Sequence, residues 1–138
     1  MTLSSQIRAG LGLATFFLSV IFAVPVLASD PIQITTNPGE DFAPSISPDG
    51  SFMVYVSDTS GNLDLWMKYL GVGIQPPDRR LTFHSTEDKS PAISPDGKKV
   101  AFVSHRGDPR GDIYILDLQN TDDPVPVVQG KDEDMDPA

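Results

Sequence analysis

The chain has 138 residues, no cysteine, and 19 acidic against 10 basic side chains, a formal net charge of −9. That balance excludes a nucleic-acid binder, which needs surplus Lys and Arg to neutralise phosphates. The missing thiols exclude disulfide frameworks, thiolate zinc sites, a cysteine nucleophile and a lipidated cysteine after an export signal. With 11 Gly, 13 Pro and 39% hydrophobic residues, the chain is too apolar for disorder and too rich in turn formers for a helical bundle, which points to an all-β protein of short strands.

Residues 9–28 carry no charge, follow Arg8 and contain an apolar run over residues 11–24. Pro25 interrupts a helix there, and Val26-Leu27-Ala28 then precedes the polar Ser29-Asp30, the layout of a signal peptide cleaved after Ala28. About 20 apolar residues also suffice to span a bilayer, so an uncleaved anchor is the alternative; Gly10, Gly12, Thr15 and Ser19 weaken it. The expected organisation is a signal peptide over residues 1–28 and a periplasmic or secreted domain over residues 29–138, with no membrane span once the signal is removed.

Residues 32–35 read as a first short strand. Beyond them the chain repeats itself. Glu40-Asp41-Phe42-Ala43-Pro44-Ser45-Ile46-Ser47-Pro48-Asp49-Gly50 returns forty-seven residues later as Glu87-Asp88-Lys89-Ser90-Pro91-Ala92-Ile93-Ser94-Pro95-Asp96-Gly97, and a third copy starts at Glu133-Asp134. In Ser-Pro-Asp-Gly the proline presets φ, the Asp can bond its own backbone and the Gly is free to take positive φ, so Pro48, Asp49 and Gly50, like Pro95, Asp96 and Gly97, are expected in tight hairpin turns. Residues 52–56 and 100–103 are apolar at every position, as strands are when both faces of their sheet are covered. Third strands follow over residues 63–69 and 112–118, and outer ones over 79–82 and 126–129.

Four antiparallel strands in each repeat of about 45 residues is the pattern of a β-propeller blade. Together with Pro-x-Ile-Ser-Pro-Asp-Gly, Asp64-Leu65-Trp66 and Asp112-Ile113-Tyr114, and the pair Leu81-Thr82, it resembles the WD40-like, PD40-type repeats of the TolB family of propellers. The fold class expected is an all-β partial propeller: about two full blades, a leading strand, and the start of a third blade. Nine strands do not close a ring, so residues 29–138 are expected to be a segment incomplete at its carboxy end, with the remaining blades supplied by a further part; a ring of several two-blade chains is the alternative.

The resemblance implies an exported scaffold that binds a protein or peptide partner in the cell envelope. The alternative is the amino-terminal propeller of a prolyl-oligopeptidase-like serine peptidase whose catalytic domain lies outside this chain. No nucleophile elbow, phosphate loop or His-Glu-x-x-His occurs, so no catalytic residue is assigned. Glu40, Asp41, Glu87, Asp88, Glu133 and Asp134 recur just before the innermost strands. In a closed ring they would gather at one channel mouth, where carboxylates can hold a hard cation such as Ca2+ or face a basic segment; the plainer reading is that they cap turns. Asp64 and Asp112 read as structural, bonding a neighbouring backbone amide. Trp66 and Tyr114 read as packing between blades. His84 and His105 stand at unlike repeat positions, and Arg106-Gly107-Asp108 falls in a turn.

Overall fold

The computed structural model describes residues 30–128. Eight strands form two four-stranded antiparallel sheets, with no helix among the described residues. β1 (Asp41–Ile46), β2 (Phe52–Ser57), β3 (Asp64–Tyr69) and β4 (Arg79–Arg80) make the first sheet in that order; β5 (Asp88–Ile93), β6 (Lys99–Ser104), β7 (Asp112–Asp117) and β8 (Asn120–Val128) make the second.

The turns set this meander. Between β1 and β2 the Gly50 amide donates to the Ser47 carbonyl at 2.9 Å, and Asp49 Oδ1 accepts from the Ser51 amide at 3.0 Å and the Ser47 hydroxyl at 2.7 Å. The second sheet repeats this with Gly97 to Ser94 at 2.8 Å and Lys98 to Asp96 Oδ1 at 3.1 Å. Gly50 and Gly97 have φ of 71° and 69°, the left-handed region that a Cβ disfavours.

From those turns β2 pairs with β3, and β6 with β7, without a slip of register. The innermost strands differ: a bulge falls between Phe42 and Ser45 in β1 and between Lys89 and Ala92 in β5. Each contains a proline, Pro44 or Pro91, with no N–H for the ladder, and each places the preceding residue at positive φ, Ala43 at 49° and Ser90 at 51°.

Alternation along the strands then builds one core shared by both sheets. Val54, Val56, Leu65, Met67 and Leu81 of the first sheet pack with Val100, Phe102, Tyr114 and Leu116 of the second. Both faces of β2 are covered, since Met53 to Ser57 are all buried. Hydrogen bonds also cross the boundary, from the Asp88 amide to the Leu63 carbonyl at 2.9 Å and from the Ile93 amide to Ser45 Oγ at 3.1 Å.

Three strand expectations are corrected. Residues 32–35, expected as a leading strand, pair with no strand among the described residues. β4 is limited to Arg79–Arg80: the Leu81 amide still donates to Leu65 at 2.7 Å, but at Thr82 the side-chain hydroxyl accepts the Leu65 amide at 3.0 Å and ends the ladder. β8 starts at Asn120 because Leu118 and Gln119 alone connect it to β7. Pro124 and Pro126 are tolerated within it because it is an edge strand, and the register shifts around them.

Candidate functional site

The first residues of β1, β3, β5 and β7 are all aspartates, and the registers align them in rows. Asp41 pairs with Ser57 and Ser57 with Asp64; Asp88 pairs with Ser104 and Ser104 with Asp112. Asp64, Asp88, Asp112 and both serines are buried. Carboxylates out of water need counter-charge or hydrogen bonds. Arg80 Nη2 lies 2.7 Å from Asp64 Oδ2, which also accepts from the Ser60 hydroxyl. Arg106 Nη2 reaches both oxygens of Asp88, at 3.2 and 3.0 Å, while its Nε donates to Ser104 Oγ at 2.8 Å. The same guanidinium stacks over Tyr114 at 4.9 Å and Phe102 at 5.6 Å. Burial pushes the Asp64 carboxyl up, against the opposing pull of Ser60 and Arg80, and Asp88 adds repulsion. The partners of Asp64 are thus side chains, where a backbone amide was expected.

The expected acidic residues take unlike positions. Glu40 is exposed and donates its amide to Asp58 Oδ1 at 2.9 Å; Asp41 accepts from Asn37 Nδ2 at 3.0 Å. Glu87 pairs with Lys89 at 2.8 Å, whereas Asp88 is sunk against Arg106. Glu133 and Asp134 lie outside the described residues. Among the described residues no three His, Asp or Glu side chains are grouped to hold a metal ion.

His84 Nδ1 is 2.8 Å from Thr86 Oγ1, and the His105 amide donates to the Glu87 carbonyl at 3.1 Å. Arg106, with its guanidinium on Asp88, is committed to the fold. A Cβ on Gly107 would lie 2.7 Å from Asp112 Oδ2 and 3.1 Å from Tyr114 Oη, so a larger residue in this turn would have to push those side-chain ends aside. Tyr114 lies in the shared core; Trp66, its repeat partner, is outside it and half-buried. Asp49 in the first turn is held down to about 2, foremost by the Ser47 hydroxyl.

At the opposite end of the strands a cleft of about 780 Å3 opens between the two sheets. Its walls include Phe52, Tyr69, Pro76, Pro77, Lys98 and Leu118, so apolar surface is edged by polar ends. Sequence reasoning missed it because no motif marks it. The available signal was faint: between paired positions of the third and fourth strands the first repeat is only two residues longer, Trp66 to Arg80 against Tyr114 to Pro126, but residues 70–78 leave the ladder where β8 stays paired.

The arrangement is similar to that in the crystal structure of TolB from Acinetobacter baumannii, with a TM-score of 0.55 and 24% identity over 65% of this chain and 22% of that one. It is likewise similar to a putative TolB from Agrobacterium tumefaciens, with a TM-score of 0.55 and 25% identity over 67% of this chain and 34% of that one. The matched regions therefore span about a fifth to a third of those chains. No protein-family model and no curated protein matches the sequence. The fold is TolB-like: two consecutive four-stranded blades of a partial β-propeller.

Proposed function

We propose that the chain is an exported propeller scaffold that binds a protein or peptide partner in the cell envelope. The observation that carries this reading is the cleft between the blades. Its walls stand on strand ends fixed by a shared core, so apolar surface is held open before any partner arrives, which lowers the ordering cost of binding. The TolB-like fold supports the scaffold role, and the uncharged segment over residues 9–28 supports export. Among the described residues no helix is long and apolar enough to cross a membrane.

The test is selection of a displayed library of random 12-residue peptides on the purified chain, followed by amide chemical-shift mapping of the enriched peptides. The reading expects enrichment over an unrelated β-sheet domain and shifts centred on Tyr69, Lys98 and Leu118. No enrichment, or shifts scattered over both blades, would overturn it.

A further inference from the structure

Arg106 shows what a strand-end aspartate of this fold takes as its partner. Its guanidinium meets both carboxylate oxygens of Asp88, bonds Ser104 Oγ through Nε and lies over the rings of Phe102 and Tyr114. The registers set out the same walls in the first blade. Asp41 pairs with Ser57 as Asp88 does with Ser104, and Tyr55 pairs with Trp66 as Phe102 does with Tyr114. The loop that follows starts alike, since the Thr59 amide donates to Ser57 Oγ at 3.3 Å and the Arg106 amide to Ser104 Oγ at 3.3 Å. What differs is the side chain: a short hydroxyl stands where the second blade has a guanidinium.

The first blade thus builds an arginine cradle and supplies no arginine to it. Asn37 covers the place in part, with Nδ2 3.0 Å from Asp41 Oδ1 and 3.5 Å from Ser57 Oγ. A carboxamide brings no charge, and among the described residues no Lys, Arg or His forms an ion pair with Asp41. Two buried side-chain atoms among the described residues have no hydrogen-bond partner, and both belong to residues of this cradle: Asn37 Oδ1 and Trp66 Nε1. Buried polar atoms left unmet are rare and costly. Asp41 also lines a cavity of about 270 Å3 with Phe42, Met53 and Tyr55, small for a whole ligand and sized for one long side chain.

We infer that this cradle binds an arginine side chain of a partner protein, its guanidinium donating to Asp41 and Asn37 Oδ1 and stacked on Trp66. A planar fork meets two acceptors and a ring at once, whereas a lysine ammonium is a point charge with no flat face. An anionic membrane would be repelled by Asp41 within a chain of net charge −9. The place stays reachable beside a neighbouring blade, since Arg106, whose blade has one, keeps 16% of its side chain exposed. It lies at the aspartate end of the strands, opposite the cleft, so its test is independent of the cleft.

That test is titration of the purified chain with N-acetyl-arginine methylamide and with the lysine counterpart, read by 1H–15N shifts that include the indole N–H of Trp66, the one tryptophan. Saturable shifts of that indole and of the Asp41 and Ser57 amides are expected with the arginine probe. Binding should be about 10-fold or more weaker for the lysine probe, and for the arginine probe on Asp41→Asn, the scale of one charge-assisted hydrogen bond. Thr59→Arg offers the cradle a guanidinium from its own chain, so it should raise the unfolding midpoint and abolish probe binding. Equal affinities for the two probes, binding that Asp41→Asn leaves unchanged, or a Thr59→Arg chain that still binds the probe as the native chain does would each overturn the inference, as would absence of any saturable shift. A lowered midpoint in Thr59→Arg would show that the cradle rejects a guanidinium and overturn it too. Self-association in sedimentation velocity that Asp41→Asn removes would make a second copy the source of the arginine and overturn the partner protein.

Discussion

Asp88 has no exposed side-chain surface, and its counter-charge is one guanidinium held between Ser104, Phe102 and Tyr114. Arg106→Met leaves that carboxylate buried and unpaired, a loss of about 3–5 kcal/mol. Lys68→Met, which breaks a pair exposed by 27% and 24%, should cost about 0–1 kcal/mol. Urea denaturation of both variants checks the contrast, and equal losses would contradict the assignment of Arg106. The aspartates also separate by pH. Asp64, raised chiefly by burial, contributes most stability below its unfolded pKa and loses that contribution as pH rises through the folded one. Asp49, lowered from 3.8 to about 2 foremost by the Ser47 hydroxyl, contributes above 3.8 and loses its contribution as pH falls towards 2. Carboxyl 13C titration should therefore give Asp49 a midpoint near 2 and Asp64 one above 3.8; the reverse order would contradict both environments. Gly50→Val and Gly97→Val should each cost on the order of 1 kcal/mol or more, because φ of 71° and 69° strains a branched residue.

The bulges of β1 and β5 put Ala43 and Ser90 at positive φ, a conformation that costs an L-residue roughly 1–2 kcal/mol. Ser90→Gly should then leave thermal stability unchanged or raise it by up to about 1 kcal/mol, while Ser90→Val should lower it; a clear loss in the glycine variant would show that the Ser90 side chain matters more than its backbone. No residue type announces this strain in the sequence, since neither position is Gly or Asn. By contrast, β2 and β6 were legible from their unbroken apolar runs, because burial on two faces removes the usual alternation. The limits of β4 and β8 were not. Thr82 ends β4 by a side-chain bond that only the folded neighbour strand creates, and Pro124 and Pro126 mask β8 until its edge position is known. The Asp88–Arg106 pair was hidden for another reason: the residue equivalent to Arg106 in the first repeat is Thr59, so comparing the repeats gives no sign of a shared partner.

At the scale of the molecule, the repeat indicated the blade architecture because period and turn chemistry agree, but the cleft and the loop over residues 70–78 arise from a difference between the repeats and so lay outside any consensus of them. Export is open to a direct check: the chain recovered from a Gram-negative periplasmic fraction should begin at Ser29 by intact mass, and retention of Met1 would favour an anchor. Most depends on the two blades forming one body with the cleft between them, and native-state hydrogen exchange reads that in one measurement. The amides of β2 and β6 and the boundary amides of Asp88 and Ile93 should exchange in the slowest class with a common opening free energy, while Val72, Gly73 and Ile74 exchange freely. Separate opening free energies for the two sheets, with Asp88 and Ile93 exchanging as fast as the loop, would contradict it.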